Sequence, residues 1–294
     1  MARYTKVQYA SSMDAPLVQG KEFVLGSILN MAGLSQAYHA RYPDLNEEDV
    51  LQFVTVEESN PSSILAFIGL LRENARGARD CISSELWETI NRFYHDINSY
   101  TAPKLHTNGI HRFSKKVEEN SSVIKGYIDN TLLRNEAWML IALGIHLERA
   151  IQIALIILNK VYDIDKLESS LQGGPAENYQ WATLLKSAES FDMYKRYHTI
   201  NPNRRNTLEF LIFNPAFPKA LSYNLERVQQ LIQDIAFHEQ KGKGSVNFMA
   251  GKIASRIQFL TIEEVENNVP DFLGKTLESL YGLANVLNQK YLHF

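Results

Sequence analysis

A chain of 294 residues that is 45% hydrophobic can fill one large core or two smaller ones, the profile of a soluble globular protein. Its formal net charge of -3, with no long single-sign run, excludes a global electrostatic footprint for nucleic acid. The single cysteine, Cys81, excludes an internal disulfide and a multi-cysteine zinc site, which fits a reducing compartment, and it is expected to be a small buried residue.

Residues 1–16 lack the apolar core and cleavage pattern of a secretion signal, so the expected location is the cytoplasm. From there, apolar residues recur at helical spacing. Ile64, Ile68, Leu71, Ala75, Ala78 and Ile82 form one stripe, and Leu221, Leu225, Val228, Ile232 and Ile235 another. The spacing predicts long helices near 61–98, 108–128, 131–162, 217–239, 246–260 and 269–292. Pro61 and Pro218 stand where helices start. Gly and Pro punctuation marks loops at 14–20, 99–109, 169–178 and 240–245. The best strand candidate, 51–56, is short and does not alternate. The expected fold is therefore all-α, a multi-helix bundle.

A weak repeat at an offset of 157 runs through this pattern. Leu51, Phe53, Val54, Pro61, Ile64, Ile68 and Leu71 fall on Leu208, Phe210, Leu211, Pro218, Leu221, Leu225 and Val228. Tyr38, Arg41 and Tyr42 resemble Tyr194, Arg196 and Tyr197 with a small gap. The expectation is one domain over 1–294 built from two weakly similar helical halves, about 1–130 and 131–294, a bundle rather than a solenoid.

The segment 137–159 is almost wholly apolar, and 137–158 within it is long enough to span a bilayer. Glu148 and Arg149 would then lie near the midplane, each costing about 2.5 to 3.5 kcal/mol on insertion scales. We read the segment as a core helix with no membrane role, and its Glu-Arg pair as a buried or groove-lining polar site. Adjacent residues on one helix point about 100° apart, so each needs partners from elsewhere. The segment RENARGARD, 72–80, offers them: Glu148 is expected to accept from Arg72 or Arg76, and Arg149 to meet Glu73 or an equivalent carboxylate. Three arginines at helical spacing with Glu73 and Asn74 also suit an anionic ligand. The alternatives are a network that only sets register and a solvated helix face.

Other chemistry is absent or weak. Glu88, Asn91 and His95 share a helical face, but none of the eight histidines follows a glutamate by three residues, which argues against a di-iron bundle and leaves no metal site. There is no phosphate loop, dinucleotide fingerprint, nucleophile elbow or zincin motif, and no cofactor is expected. Lys-Gly-Lys-Gly at 241–244 reads as a helix connector. Trp87 and Trp138 read as core anchors, and nothing around Cys81 marks a nucleophile.

Taken together, NPSSI at 60–64, RENARGARD at 72–80, ISSELWETIN at 82–91 and FLIFNPAFPKAL at 210–221 resemble the bacterial alpha-E family. So do Ile128, Asp129, Thr131, Leu133, Arg134, Glu136 and Trp138, and LERA at 147–150. This family is a predicted α-helical domain of unknown function named for a Glu-Arg motif. The resemblance implies partnership with circularly permuted ATP-grasp proteins and transglutaminase-like peptidases, in peptide ligation or modification. Two departures stand out. Asn135 replaces an aspartate common in the family. The family's first Glu-Arg motif has no counterpart here, because Ala2-Arg3 matches residues that follow it. The expectation is a misassigned start codon, a truncated chain, or a variant with one polar pair.

The leading functional expectation is an accessory helical protein that binds a partner or acidic peptide. Its candidate residues are Arg72, Glu73, Asn74, Arg76, Arg134, Glu136, Glu148 and Arg149. The second is a peptide-modifying enzyme with Glu148 as general acid or base in a desolvated pocket. The third is a structural scaffold.

Overall fold

A computed structural model of the chain describes residues 1–14, 20–105, 109–166, 173–236 and 242–291. All the regular structure among them is helical, as the periodicity predicts. Parts of the four expected loops, and the expected helix ends beyond 236 and 291, lie outside the described residues. The chain divides into two compact units, Met1–Arg134 and Asn135–Phe294.

In the first unit α1 (Ala2–Asp14), α2 (Lys21–Met31), α3 (Ser35–His39) and α4 (Glu47–Thr55) lead into α5 (Ile64–Gly77), α6 (Ser84–Asn98), α7 (Ala102–Leu105) and α8 (Gly109–Thr131). The strand candidate at 51–56 lies in α4. Asn46 caps that helix by accepting from the Asp49 amide at 2.9 Å, and Glu47, Glu48 and Asp49 fill its first turn. The cap and the helix dipole outweigh the β-branched run that follows. The helix expected over 61–98 is broken: α5 ends at Gly77, Arg79–Cys81 form a 3₁₀ turn, and Ser83 caps α6 through the Leu86 amide. Pro61 and Pro218 precede the N-caps Ser63 and Ala220 rather than entering the first turn. Cys81, expected in the core, is exposed because it sits in this break. On α6, Leu86, Ile90, Phe93 and Ile97 are buried against α5 and α8.

The second unit is organised around α9 (Glu136–Asp165), with α10 (Pro175–Ser187), α11 (Phe191–Tyr197), α12 (Arg204–Phe213), α13 (Leu221–Ile235), α14 (Val246–Gln258), α15 (Ile262–Val265) and α16 (Val269–Tyr291). Helices α10, α13 and α16 pack on α9, burying Leu147, Ala150, Ala154, Ile157 and Val161. By length and composition α9 is apolar enough to cross a membrane, and half of its most apolar window is buried inside the protein.

The same local geometry occurs in both units. Tyr38 and Tyr194 are fully buried and donate to the carbonyls of Asp44 and Asn201, at 3.0 and 3.4 Å. They meet Phe53 and Phe210 edge-on, at 5.5 and 5.7 Å. Asn46 and Asn203 cap α4 and α12 alike. After α2 and α10 the chain turns through a positive φ, at Gly33 (66°) and Glu189 (54°). Each turn is closed by a 2.8 Å bond from the next amide to a carbonyl in the last helical turn.

Candidate functional site

In the first unit, the break between α5 and α6 gathers Arg72 and Arg79 of RENARGARD on one aromatic platform. Arg72 is held on three sides. Its Nε donates to Asn91 Oδ1 at 2.8 Å and its Nη1 to Glu73 Oε1 at 2.9 Å, while its guanidinium lies 5.0 Å from the Tyr94 ring. Arg79, outside α5, still reaches the same platform, 5.0 Å from the Trp87 ring that also faces Arg72 at 5.9 Å. Arg76 pairs with the other oxygen of Glu73 at 2.6 Å. One carboxylate thus bridges two arginines, and among the described residues no carboxylate pairs with Arg79. Trp87, expected as a core anchor, is half-buried: it packs against the core of the first unit and also offers its ring to the two guanidinium groups. Aromatic stacking fixes a guanidinium without neutralising it, and Glu73 is the one carboxylate shown paired with this arginine set among the described residues.

In the second unit the Glu-Arg pair is open. Glu148 is exposed and accepts from Gln152 Nε2 at 2.8 Å, one turn along α9; Arg149 is half-buried. The charges escape the core because the buried face of α9 runs through Leu143, Leu147, Ala150, Ile151 and Ala154, and Glu148 lies off it with Gly144. This corrects two expectations. Of the expected buried or groove-lining site, the buried alternative does not hold, and Glu148, exposed on α9, lacks the desolvated pocket that an acid or base role needs. Its charge is still felt: burial first, and then the Glu148 carboxylate, push the Tyr281 phenol above its ordinary range. The partners expected for it, Arg72 and Arg76, are engaged with Glu73 and Asn91 within their own unit.

The remaining candidates are peripheral to both clusters. Asn74 is exposed on α5. Arg134 is exposed and donates to the Asp129 carbonyl at 2.6 Å, which fastens the end of α8. Glu136 opens α9, where its charge favours the helix N-terminus. Asn135, the departure from the family pattern, caps α9 by accepting from the Trp138 amide at 3.2 Å. Asparagine performs that role as well as aspartate.

Three features were missed from sequence. A second Leu-Glu-Arg stands at Leu225, Glu226 and Arg227 on α13, and there too the glutamate is exposed and the arginine half-buried. A simple dipeptide search finds it. His146 Nδ1 lies 2.9 Å from Asn224 Oδ1. The Asn224 amide nitrogen already donates to the Ala220 and Pro218 carbonyls, so Nδ1 carries the proton. Finally, Lys160 is fully buried on α9, with Gln180 Oε1 at 3.2 Å and Asp163 Oδ2 at 3.7 Å. Burial outweighs the Asp163 charge and holds the Lys160 ammonium below its ordinary range. The apolar segment read from sequence stops at Asn159, one residue short. Among the described residues no group of His, Cys, Asp or Glu is arranged to hold a metal ion.

Fold and site define an all-helical protein with charged faces open to solvent. The chain belongs to the Alpha-E family, a predicted alpha-helical domain with a conserved ER motif, whose model matches residues 1–292. No curated protein and no solved structure matches it.

Proposed function

We propose that this protein is an accessory binding protein. It docks an acidic partner surface or peptide on the arginine face of α5 and α6, in a system with a circularly permuted ATP-grasp ligase and a transglutaminase-like peptidase. The partners are those that the family resemblance implies. The observation that carries the binding mode is the incompletely neutralised set of Arg72 and Arg79, preorganised on Trp87 and Tyr94, with Arg76 beside them on Glu73. Side chains already held by stacking lose little freedom on binding, and guanidinium forks match carboxylates bidentately. The recurring tyrosine, asparagine-cap and turn geometry supports a scaffold of two related helical halves.

The test is a titration of a circularly permuted ATP-grasp-type protein, the partner proposed here, into wild-type chain, Arg76→Glu/Arg79→Glu, and Glu148→Gln. Saturable binding that weakens with salt and is lost in the double arginine variant, with the fold intact, supports the proposal. Equal affinity for wild type and the arginine variant rejects it. If Glu148→Gln binds normally but abolishes the activity of the pair, the enzymatic reading takes its place.

A further inference from the structure

The second unit contains a groove of about 570 Å³ between α14 and α16, remote in sequence from the arginine face. Its walls follow from helical spacing. On α14, Phe248, Lys252 and Arg256 succeed one another at four-residue steps and so share one side, with Met249, Ile253 and Ile257 beside them as floor. On α16, Glu278, Ser279 and Gly282 line the opposite side. The register is set at two points. The Arg256 guanidinium lies 5.8 Å from the Phe272 ring, and a Cβ on Gly282 would lie 3.9 Å from Met249 Cε. The helices therefore run antiparallel, and Lys252 falls opposite Glu278 and Ser279. No ion pair closes across the gap: Lys252, Arg256 and Glu278 are exposed and make no salt bridge among the described residues.

Packed helices normally fill such a gap with side chains. Here Gly282 leaves it open, and Phe248, 44% exposed, edges it with unpaired apolar surface. The groove thus combines an apolar floor, two cations without ion pairs on one wall, Arg256 among them resting on Phe272, and one carboxylate without an ion pair on the other, a single net positive charge. A small molecule that matches this needs one negative charge, an apolar body and a hydrogen-bond donor on the opposite edge. The carboxy-terminal end of a peptide has all three: its α-carboxylate for Lys252 and Arg256, an apolar last side chain for the floor, and a backbone N–H for Glu278. A simple fatty acid supplies the first two and leaves Glu278 without a donor. The volume lies within the range of ordinary ligand pockets.

We infer that the α14–α16 groove binds the free carboxy-terminus of a peptide ending in an apolar residue. The site is independent of the arginine face. It adds a peptide-end specificity to the accessory role, and the two can be tested apart.

The experiment is fluorescence anisotropy with the full chain and fluorescein-labelled Ala-Ala-Leu, as free acid and as carboxy-terminal amide. The free acid is expected to bind saturably and the amide at least about tenfold more weakly, since the charge-assisted bonds to Lys252 and Arg256 are lost. Gly282→Leu, whose first added carbon meets only ordinary contact, fills the groove and removes binding; Lys252→Glu weakens it. Arg76→Glu/Arg79→Glu leaves it unchanged, which separates failure here from failure of the arginine face. Circular dichroism melts confirm that each variant is folded. The inference is overturned by equal affinity for acid and amide, by no binding at millimolar peptide, by binding that survives Gly282→Leu, or by decanoate binding in place of the peptide.

Discussion

Removing the Lys160 ammonium while keeping its volume isolates the buried charge of the second unit. In Lys160→Met, Asp163, 5% exposed, loses its counter-charge at 3.7 Å and the Gln180 carbonyl oxygen loses a donor at 3.2 Å. Breaking one side of a buried pair costs about 3 to 5 kcal/mol, because the remaining carboxylate keeps its desolvation penalty and loses this counter-charge. For a unit of this size each kcal/mol lowers the melting temperature by roughly 2 to 4 °C, so the expected fall is about 6 to 20 °C. The assay is thermal unfolding followed by circular dichroism at neutral pH, with Lys160→Met/Asp163→Leu as the control. The double variant should regain the share owed to Asp163 and retain a deficit of about 1 to 3 kcal/mol for the Gln180 acceptor. A Lys160→Met melt within 2 °C of wild type would refute the reasoning, since it would mean that the pair is not desolvated.

Four further outcomes follow from the geometry. On the same helix, Glu148→Gln should change stability by no more than about 0.5 kcal/mol in denaturant titrations, because Glu148 is exposed with Gln152 as its partner. Asn135→Ala should cost about 1 kcal/mol by loss of the α9 cap, whereas Asn135→Asp should be neutral or slightly stabilising; equal melts for both variants would remove the cap from the account. Burial, the hydrogen bond to Glu47 and that carboxylate's charge push the Tyr9 phenol up to about 12. The folded chain then keeps a proton that the unfolded chain releases near pH 10. This contribution is complete below pH 10 and lost toward pH 12, so Tyr9→Phe should show a shallower alkaline decline in stability than wild type. Glu189→Gly relieves a left-handed backbone cost of about 1 kcal/mol but breaks the Lys219 ion pair, which as a half-exposed contact contributes less. A small net gain in melting temperature is expected.

The helical character of the chain was legible because apolar residues recur every three to four positions from Ile64 onward, and periodicity survives without tertiary context. Shorter helices were not. In α4 the run from Leu51 to Val56 reads as a strand unless the cap at Asn46 and the acidic first turn are weighed first. The candidate site was half legible. RENARGARD marked an arginine cluster, but helical spacing does not assemble it: Arg79 leaves the helix at the 3₁₀ turn, and it is Trp87 that brings it to Arg72. The openness of Glu148 was hidden because an apolar stretch does not reveal which side of a helix its neighbours cover. Lys160, the most costly buried charge, was passed over because a lysine at the end of an apolar run looks like a solvated terminus. The α14–α16 groove depends on the register between two helices, which neither helix encodes alone.

The central claim is that the arginine face binds an acidic partner. The most direct measurement is calorimetric titration of a circularly permuted ATP-grasp-type protein, the partner proposed above, into wild-type chain and into Arg76→Glu/Arg79→Glu, at low and at physiological salt. The account predicts saturable binding by wild type that weakens as salt rises, and no measurable heat from the variant although its melting curve is unchanged. Isotherms that are the same for both proteins, or absent from both, would contradict it.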